Sequence, residues 1–189
     1  MSFWTDSGGK DPKRNFRFKV TIAGFEGNKS VVWWAKKVQK PNYSVAEVKH
    51  VYLGHTYYYP GKLEWQEITM TLVDPAEKQE GGVDALFLLH KIIEDSGYEL
   101  PNPSTKSTTM SKDKSVGALG TVQIAQLDAD GNAIETWELR NPFLKKVSFS
   151  DLDYENDDLT TIDISLRYDW ATCVTGNKTE SAPFFNANT

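Results

Sequence analysis

Apolar and polar residues alternate along much of this chain, most regularly between residues 161 and 170. Successive side chains of a β-strand point to opposite faces of a sheet, so a period of two predicts a strand with one buried face. Ile162, Leu166 and Trp170 mark the apolar positions of this stretch. Similar patterns or short apolar runs predict further strands at 16–22, 31–38, 68–73, 119–127, 134–139 and 147–149.

Turn residues separate these strands and predict hairpins. Gly24 and the Gly27–Asn28 step lie between the first two strands, which we therefore expect to pair. Residues 128–132, with the sequence DADGN, lie between two later strands. Strands that follow one another through hairpins form antiparallel sheets.

Residues 83–95 carry the helical period, with Leu89 and Ile92 widening the apolar stripe and Gly97 as a stop signal. Residues 97–117 are rich in Pro, Ser, Thr and Lys and predict a long loop. The expected fold is therefore mainly β, an antiparallel two-sheet sandwich with one α-helix. The predicted stripe consists of Val83, Leu86, Phe87, His90 and Ile93.

Length and composition limit the organisation of the chain. Its 189 residues are close to the common size of one domain. We expect a flexible N-terminal arm over 1–15, a β domain over 16–170 and a loose polar C-terminal tail over 171–189. No apolar run reaches the ~20 residues of a membrane span. The first ten residues lack the apolar core of a secretory signal, so we expect synthesis in a cytoplasm.

The residues that carry chemistry form no catalytic or cofactor pattern in the sequence. The 128–132 segment lacks the glycine and glutamate spacing of a calcium loop, since its twelfth residue is Leu139. His50 and His55 are five apart and are expected on opposite faces of a strand, which is poor for a shared metal. Cys173 is the single cysteine, and a net charge of −5 argues against binding nucleic acid by neutralising phosphates. We expect no enzymatic activity, no metal and no cofactor.

Residues 41–61 predict an extended hairpin that turns at Gly54–His55 and closes at Pro60–Gly61. Its surface is too apolar for a solvated loop. Two interpretations remain open at this point: the apolar side chains fold back onto their own core, or they meet another protein. The residues concerned are Val48, Val51, Leu53, Tyr57, Tyr58 and Tyr59.

The serial order of these features resembles the contractile-tail tube protein family of myophages, which includes the tubes of R-type pyocins. The similarity covers roughly residues 15–170, and the order of its parts is more specific than any one of them. The parts are the first strand, a Trp-rich second strand, Lys37–Pro41, the hairpin ending in Pro60-Gly61-Lys62, Trp65, the strand 68–73 with Asp74, one helix, the Asp130-Gly131-Asn132 turn, the Trp137–Phe143 segment, and a last strand ending in Tyr168-Asp169-Trp170.

This resemblance implies an assembly and a set of partners. Six subunits would form a ring whose sheets join into one continuous β-barrel, and rings would stack through the hairpin residues named above. The helix would lie on the outer wall and face the sheath protein with Lys91, Glu94 and Asp95. Genomic DNA and the tape-measure protein would occupy the lumen without sequence-specific binding, and a baseplate tube initiator would start the tube. The tail would assemble in the cytoplasm of a bacterial host and serve DNA ejection.

Three alternatives remain beside a tail tube. Two belong to the same kind of machinery: a baseplate tube initiator, and a tube protein of the type VI secretion kind. The third is a monomeric β-sandwich that binds carbohydrate by stacking sugars on Trp33, Trp34 and the tyrosine run.

Overall fold

A computed structural model describes residues 12–25, 35–74, 85–100, 109–155, 157–177 and 180–184. Within these ranges the chain is mainly β. A short 3-10 turn, Ala23–Phe25, follows the first strand. The helices are α1 (Ala85–Asp95) and α2 (Lys112–Leu119). The strands are β1 (Phe18–Ile22), β2 (Ala35–Val38), β3 (Tyr43–Tyr52), β4 (His55–Trp65), β5 (Ile68–Val73), β6 (Val122–Leu127), β7 (Ala133–Arg140), β8 (Phe143–Phe149), β9 (Thr161–Arg167), β10 (Trp170–Asn177) and β11 (Glu180–Phe184).

The strands form two main sheets and a separate two-stranded ribbon. Sheet A has five strands in the order β1-β6-β7-β10-β11, and sheet B has four in the order β2-β5-β9-β8. Strands β3 and β4 pair with each other in the ribbon. All of these pairings are antiparallel. The predicted class, an antiparallel two-sheet sandwich, is confirmed.

The prediction that the first two strands pair as a hairpin is wrong. Strand β1 pairs with β6 in sheet A, whereas β2 pairs with β5 in sheet B. The glycines between them mark a place where the chain changes sheets, and a turn signal does not specify which strands pair. Burial specifies it instead, because Val20 and Ile22 share their face of sheet A with Val122 and Ile124.

One apolar core joins the two sheets and α1. The period-two pattern decides its membership, as in β5, where Ile68, Met70 and Leu72 are buried and Thr69 is exposed. Burial of this apolar surface is the main stabilising contribution to the fold. The other large side chains that are fully buried in the core are Val20, Leu119, Val122, Leu139, Ile162, Ile164 and Leu166.

Helix α1 is confirmed, but the centre of its buried face differs from the predicted stripe. Leu89 and Ile92 are buried as expected, whereas Phe87 and His90 are exposed. The helix is apolar over a wide arc, so periodicity alone does not select the side that packs on the sheets. The stop at Gly97 is also confirmed, because Gly97 has φ +97° and its N–H donates to Glu94 O at 2.8 Å. Leu86 is about half exposed and Ile93 half-buried, and Val83 lies outside the described residues.

Helix α2 begins within residues 97–117, which the sequence predicts as a loop, and runs on to Leu119. The side chain of Ser111 caps it by accepting a hydrogen bond from Lys114 N, and Gly120 ends it with φ +66°. The helix has few apolar residues and carries Gly117, so its helical period is weak. The described part of the chain therefore has two helices, where one was expected.

The C-terminal region is also more ordered than the sequence predicts. Alternation breaks after Tyr168, because the chain turns there and begins β10 at Trp170. Strand β10 pairs with β7 and buries Ala171, Thr172 and Cys173. The expectation of a loose tail is wrong for the residues in β10 and β11. Of the predicted N-terminal arm, residues 1–11 lie outside the described ranges.

Within the described ranges no helix is long and apolar enough to cross a membrane.

Candidate interaction surface

The β3–β4 ribbon is a long hairpin that stands away from both main sheets. Its strands have ten and eleven residues, which corresponds to a length of about 33 Å. Every residue of β3 is exposed, and so is every residue of β4 except Trp65. The interpretation in which its apolar side chains fold back onto the core is therefore wrong.

The hairpin turns tightly at Leu53 and Gly54, which have φ values of +48° and +77°. Two consecutive positive φ values are typical of the two-residue turns that match strand twist. Leu53 is therefore held at the tip in a left-handed conformation that costs energy for a residue with a Cβ, and its side chain is 80% exposed. The predicted turn at Gly54–His55 is one residue late.

Pro60 and Gly61 do not close the hairpin but lie inside β4, beside a bulge. The register shifts between Val45 and Glu47 at this point. A Cβ on Gly61 would lie 2.9 Å from the backbone oxygen of Ala46, so the bulge requires glycine there.

The residues predicted to mediate the stacking of rings occupy both faces of the hairpin and its tip. Val48 is paired with Tyr59 and His50 with Tyr57, so these four share one face. Tyr58 is paired with Lys49 and Val51 with Thr56 on the opposite face. The tyrosine run thus divides, with Tyr57 and Tyr59 on one side and Tyr58 on the other.

The same register places the two histidines of the hairpin on one face. His50 is opposite Tyr57, and His55 is opposite Tyr52, two residues further along each strand. The expectation of opposite faces is wrong because it assumed a single strand, whereas the turn puts His50 on β3 and His55 on β4.

The root of the hairpin is fixed to sheet B. The ring of Trp65 packs at 5.2 Å from Tyr43 and at 6.0 Å from the buried Tyr168. Gln66 N donates to Asn42 O at 2.9 Å, and Gln66 Nε2 donates to Ser44 Oγ at 3.0 Å. Since β2 leads into β3 and β4 leads into β5, the ribbon prolongs the β2–β5 ladder beyond the sandwich.

A buried carboxylate fixes the segment that enters the hairpin. Glu135 accepts hydrogen bonds from Lys40 Nζ at 2.8 Å, from Trp137 Nε1 at 2.5 Å and from Lys13 Nζ. Lys40 Nζ also donates to Gln126 Oε1 at 2.6 Å. Burial acts to raise the pKa of Glu135, but these donors outweigh it and lower the pKa to about 2. No local sequence pattern indicates this cluster, because its members lie far apart along the chain.

The three residues of α1 that are predicted to face the sheath, Lys91, Glu94 and Asp95, do not all line the same surface. Glu94 and Asp95 border a groove of about 600 Å³ between α1 and β8, whereas Lys91 is exposed and is not part of its lining. His90 Nδ1 lies 3.6 Å from Glu94 Oε1. The groove was not predicted, because Leu100 and Phe149, which line it, come from separate parts of the chain.

The predicted 128–132 turn and the predicted tryptophan pair differ in outcome. The 128–132 turn is confirmed: Asp128 Oδ1 accepts hydrogen bonds from Asp130 N at 2.9 Å and Asn132 N at 2.8 Å. Trp33 and Trp34, the proposed sugar platform, lie outside the described residues.

A two-sheet antiparallel sandwich with a projecting hairpin is the class of structure that these observations define. Its fold is shared with parts of contractile injection systems, which confirms the fold implied by the family resemblance.

A chain in the cryo-EM structure of the sheath/tube terminator of an extracellular contractile injection system, PVC, in the extended state is 18% identical. It has a TM-score of 0.59, and the match covers 87% of this chain and 98% of that one. A chain of the anti-feeding prophage tube-terminating cap gives 16% identity and a TM-score of 0.58 over 88% and 93% of the two chains. A chain of the PVC sheath-tube complex gives 16% identity and 0.55 over 93% and 100%. No protein-family model and no curated protein sequence matches the chain.

Proposed function

We propose that this protein is a structural subunit of a contractile tail tube that self-assembles into stacked hexameric rings. The exposed hairpin is the observation that carries the proposal. Val48, Tyr58 and Tyr59 are each more than half exposed, and apolar side chains occupy both faces. Apolar patches of this kind on a soluble protein mark a surface that another molecule covers.

The fold supplies the rest of the support for a ring. Among the described strands, β2 and β8 are the edges of sheet B, and strand edges are templates for pairing with another chain. Joining such edges between six copies would close the sheets into one barrel. The cryo-EM structures with the same fold are of sheath, tube and tube-terminating assemblies.

The rings would form a conduit for DNA ejection in a bacteriophage tail, with DNA and the tape-measure protein in the lumen. The sheath protein would contact the exposed side of α1 that carries Lys91. A baseplate tube initiator would nucleate the tube, assembly would take place in the host cytoplasm, and the chain would have no enzymatic activity.

A second candidate is a single-ring component at one end of such a tube. It is favoured by the terminator and cap structures, whose TM-scores of 0.59 and 0.58 are as high as that of the sheath-tube complex at 0.55. A baseplate initiator belongs to the same group.

Negative-stain electron microscopy of the purified, concentrated protein tests these proposals. We expect hollow tubes of uniform width for a tube subunit, and rings that do not elongate for an end component. Protein that stays monomeric, including after addition of preformed tube fragments as nuclei, would contradict both.

A further inference from the structure

The hairpin and the groove lie at opposite ends of sheet B. Strand β5 begins at Ile68, next to the hairpin, and pairs there with Leu166 of β9. At the other end Val73 pairs with Thr161, and Phe149 of β8 pairs with Ile162. Phe149 lines the groove, so the groove lies at the end away from the hairpin.

The groove has an apolar lining and an acidic border. Leu100 and Phe149 on its lining are 72% and 59% exposed. Three carboxylates border it, at Glu94, Asp95 and Glu99. This combination suits an apolar segment accompanied by positive charge.

The hairpin tip has the complementary character. Leu53 is 80% exposed and Tyr52 is 61% exposed. Between residues 48 and 59 the sequence contains no carboxylate, and Lys49 is its permanently charged residue.

We propose that the hairpin tip of one copy docks in the groove of the next copy, with Leu53 and Tyr52 on its apolar lining and Lys49 toward its acidic border. Two complementary surfaces at opposite ends of one chain form a head-to-tail contact that repeats without closing. The inference rests on the proposed function, because it requires copies that stack in a row, and it identifies the surface that receives the hairpin.

Mixed cysteine variants test the contact in assembled protein. L53C on one copy and L100C on another should form a disulfide under mild oxidation, seen as a dimer on a non-reducing gel. The matched control pairs L53C with F87C, because Phe87 is an exposed residue of α1 that does not line the groove. The native Cys173 is buried and is common to all variants. Holding two thiols together raises their effective concentration, so we expect at least about tenfold more dimer with L100C than with F87C.

A second pair of variants links the contact to stacking. L100D should prevent tubes while leaving rings intact, and F87D should assemble like the wild type. Equal dimer yields for L100C and F87C, or normal tubes from L100D, would overturn the docking site while wild-type tubes still supported the proposed function. Wild-type protein that forms neither rings nor tubes would overturn both.

Discussion

The carboxylate of Glu135 and the ammonium group of Lys40 are 2.8 Å apart, which joins strand β7 to the residues that lead into the hairpin. Lys40 precedes the buried Pro41, and β3 begins at Tyr43. The exit angle of a hairpin about 33 Å long depends on how firmly its root is held. The ion pair between the half-exposed Lys40 at the root and the buried carboxylate of Glu135 in the sandwich provides such a hold.

Replacing Glu135 by Gln should lower the free energy of unfolding by about 1–3 kcal/mol, because hydrogen bonds to a charged acceptor are lost in a buried place. Urea denaturation measures the change. The matched control is E138Q on the same strand, where Glu138 forms a more exposed pair with Arg140 at 2.7 Å. We expect less than about 1 kcal/mol for that control. Equal losses in the two variants would contradict the buried role of Glu135.

The lowered pKa of Glu135 also predicts that the stability of the fold depends on pH. The pKa of Glu135 is lowered from 4.5 to about 2, so the charged carboxylate stabilises the folded state above the ordinary pKa. This contribution is lost as pH falls toward the folded-state pKa. The stability difference between the wild type and E135Q should be constant above about pH 5 and shrink between about pH 4.5 and 2. A difference that stays the same down to pH 2.5 would contradict this assignment.

Replacing Tyr57, Tyr58 and Tyr59 together by Ser should leave a folded subunit that does not stack. The three side chains are exposed and contribute little to the core, so we expect Tm to stay within about 4 °C of the wild type. Electron microscopy measures the loss of tubes. The control is Y154S, since Tyr154 is exposed on a loop away from the hairpin. Normal tubes from the triple variant would refute the stacking role.

Gly97→Ala should destabilise the protein by about 1–3 kcal/mol, because the residue has φ +97° and a Cβ would lie 2.9 Å from Thr109 O. Gly117 in α2 is the matched control, since a Cβ there meets no atom within 4 Å. Ala at position 117 should stabilise the helix by about 0.5–1 kcal/mol. Thermal denaturation of both variants measures the changes, and changes of the same sign would be inconsistent with the described end of α1.

Local patterns predict the elements whose signals are local. The strand at 68–73 has the predicted bounds, the 128–132 turn has its Asp128 hydrogen bonds, and α1 ends at the Gly97 stop. Each of these signals depends on residues that are close together in the sequence. The short helix α2 was missed because Gly117 and scarce apolar residues weaken its period, although Ser111 caps it.

The pairing of strands depends on remote residues. Strand β1 pairs with β6 about 100 residues later in the chain, and β10 pairs with β7 instead of forming part of a loose tail. The Glu135 cluster and the groove beside α1 also join segments that lie far apart in the chain.

The sequence by itself determined that this protein is a β-rich chain with an extended apolar hairpin, since alternation and turn chemistry act between near neighbours. The tertiary structure alone decided that the hairpin stands free of the core and that its tyrosines divide between two faces. It also placed a complementary groove at the opposite end of sheet B. Exposure and relative position are properties of the whole packed chain, because the surfaces that stay exposed depend on how all the other segments pack.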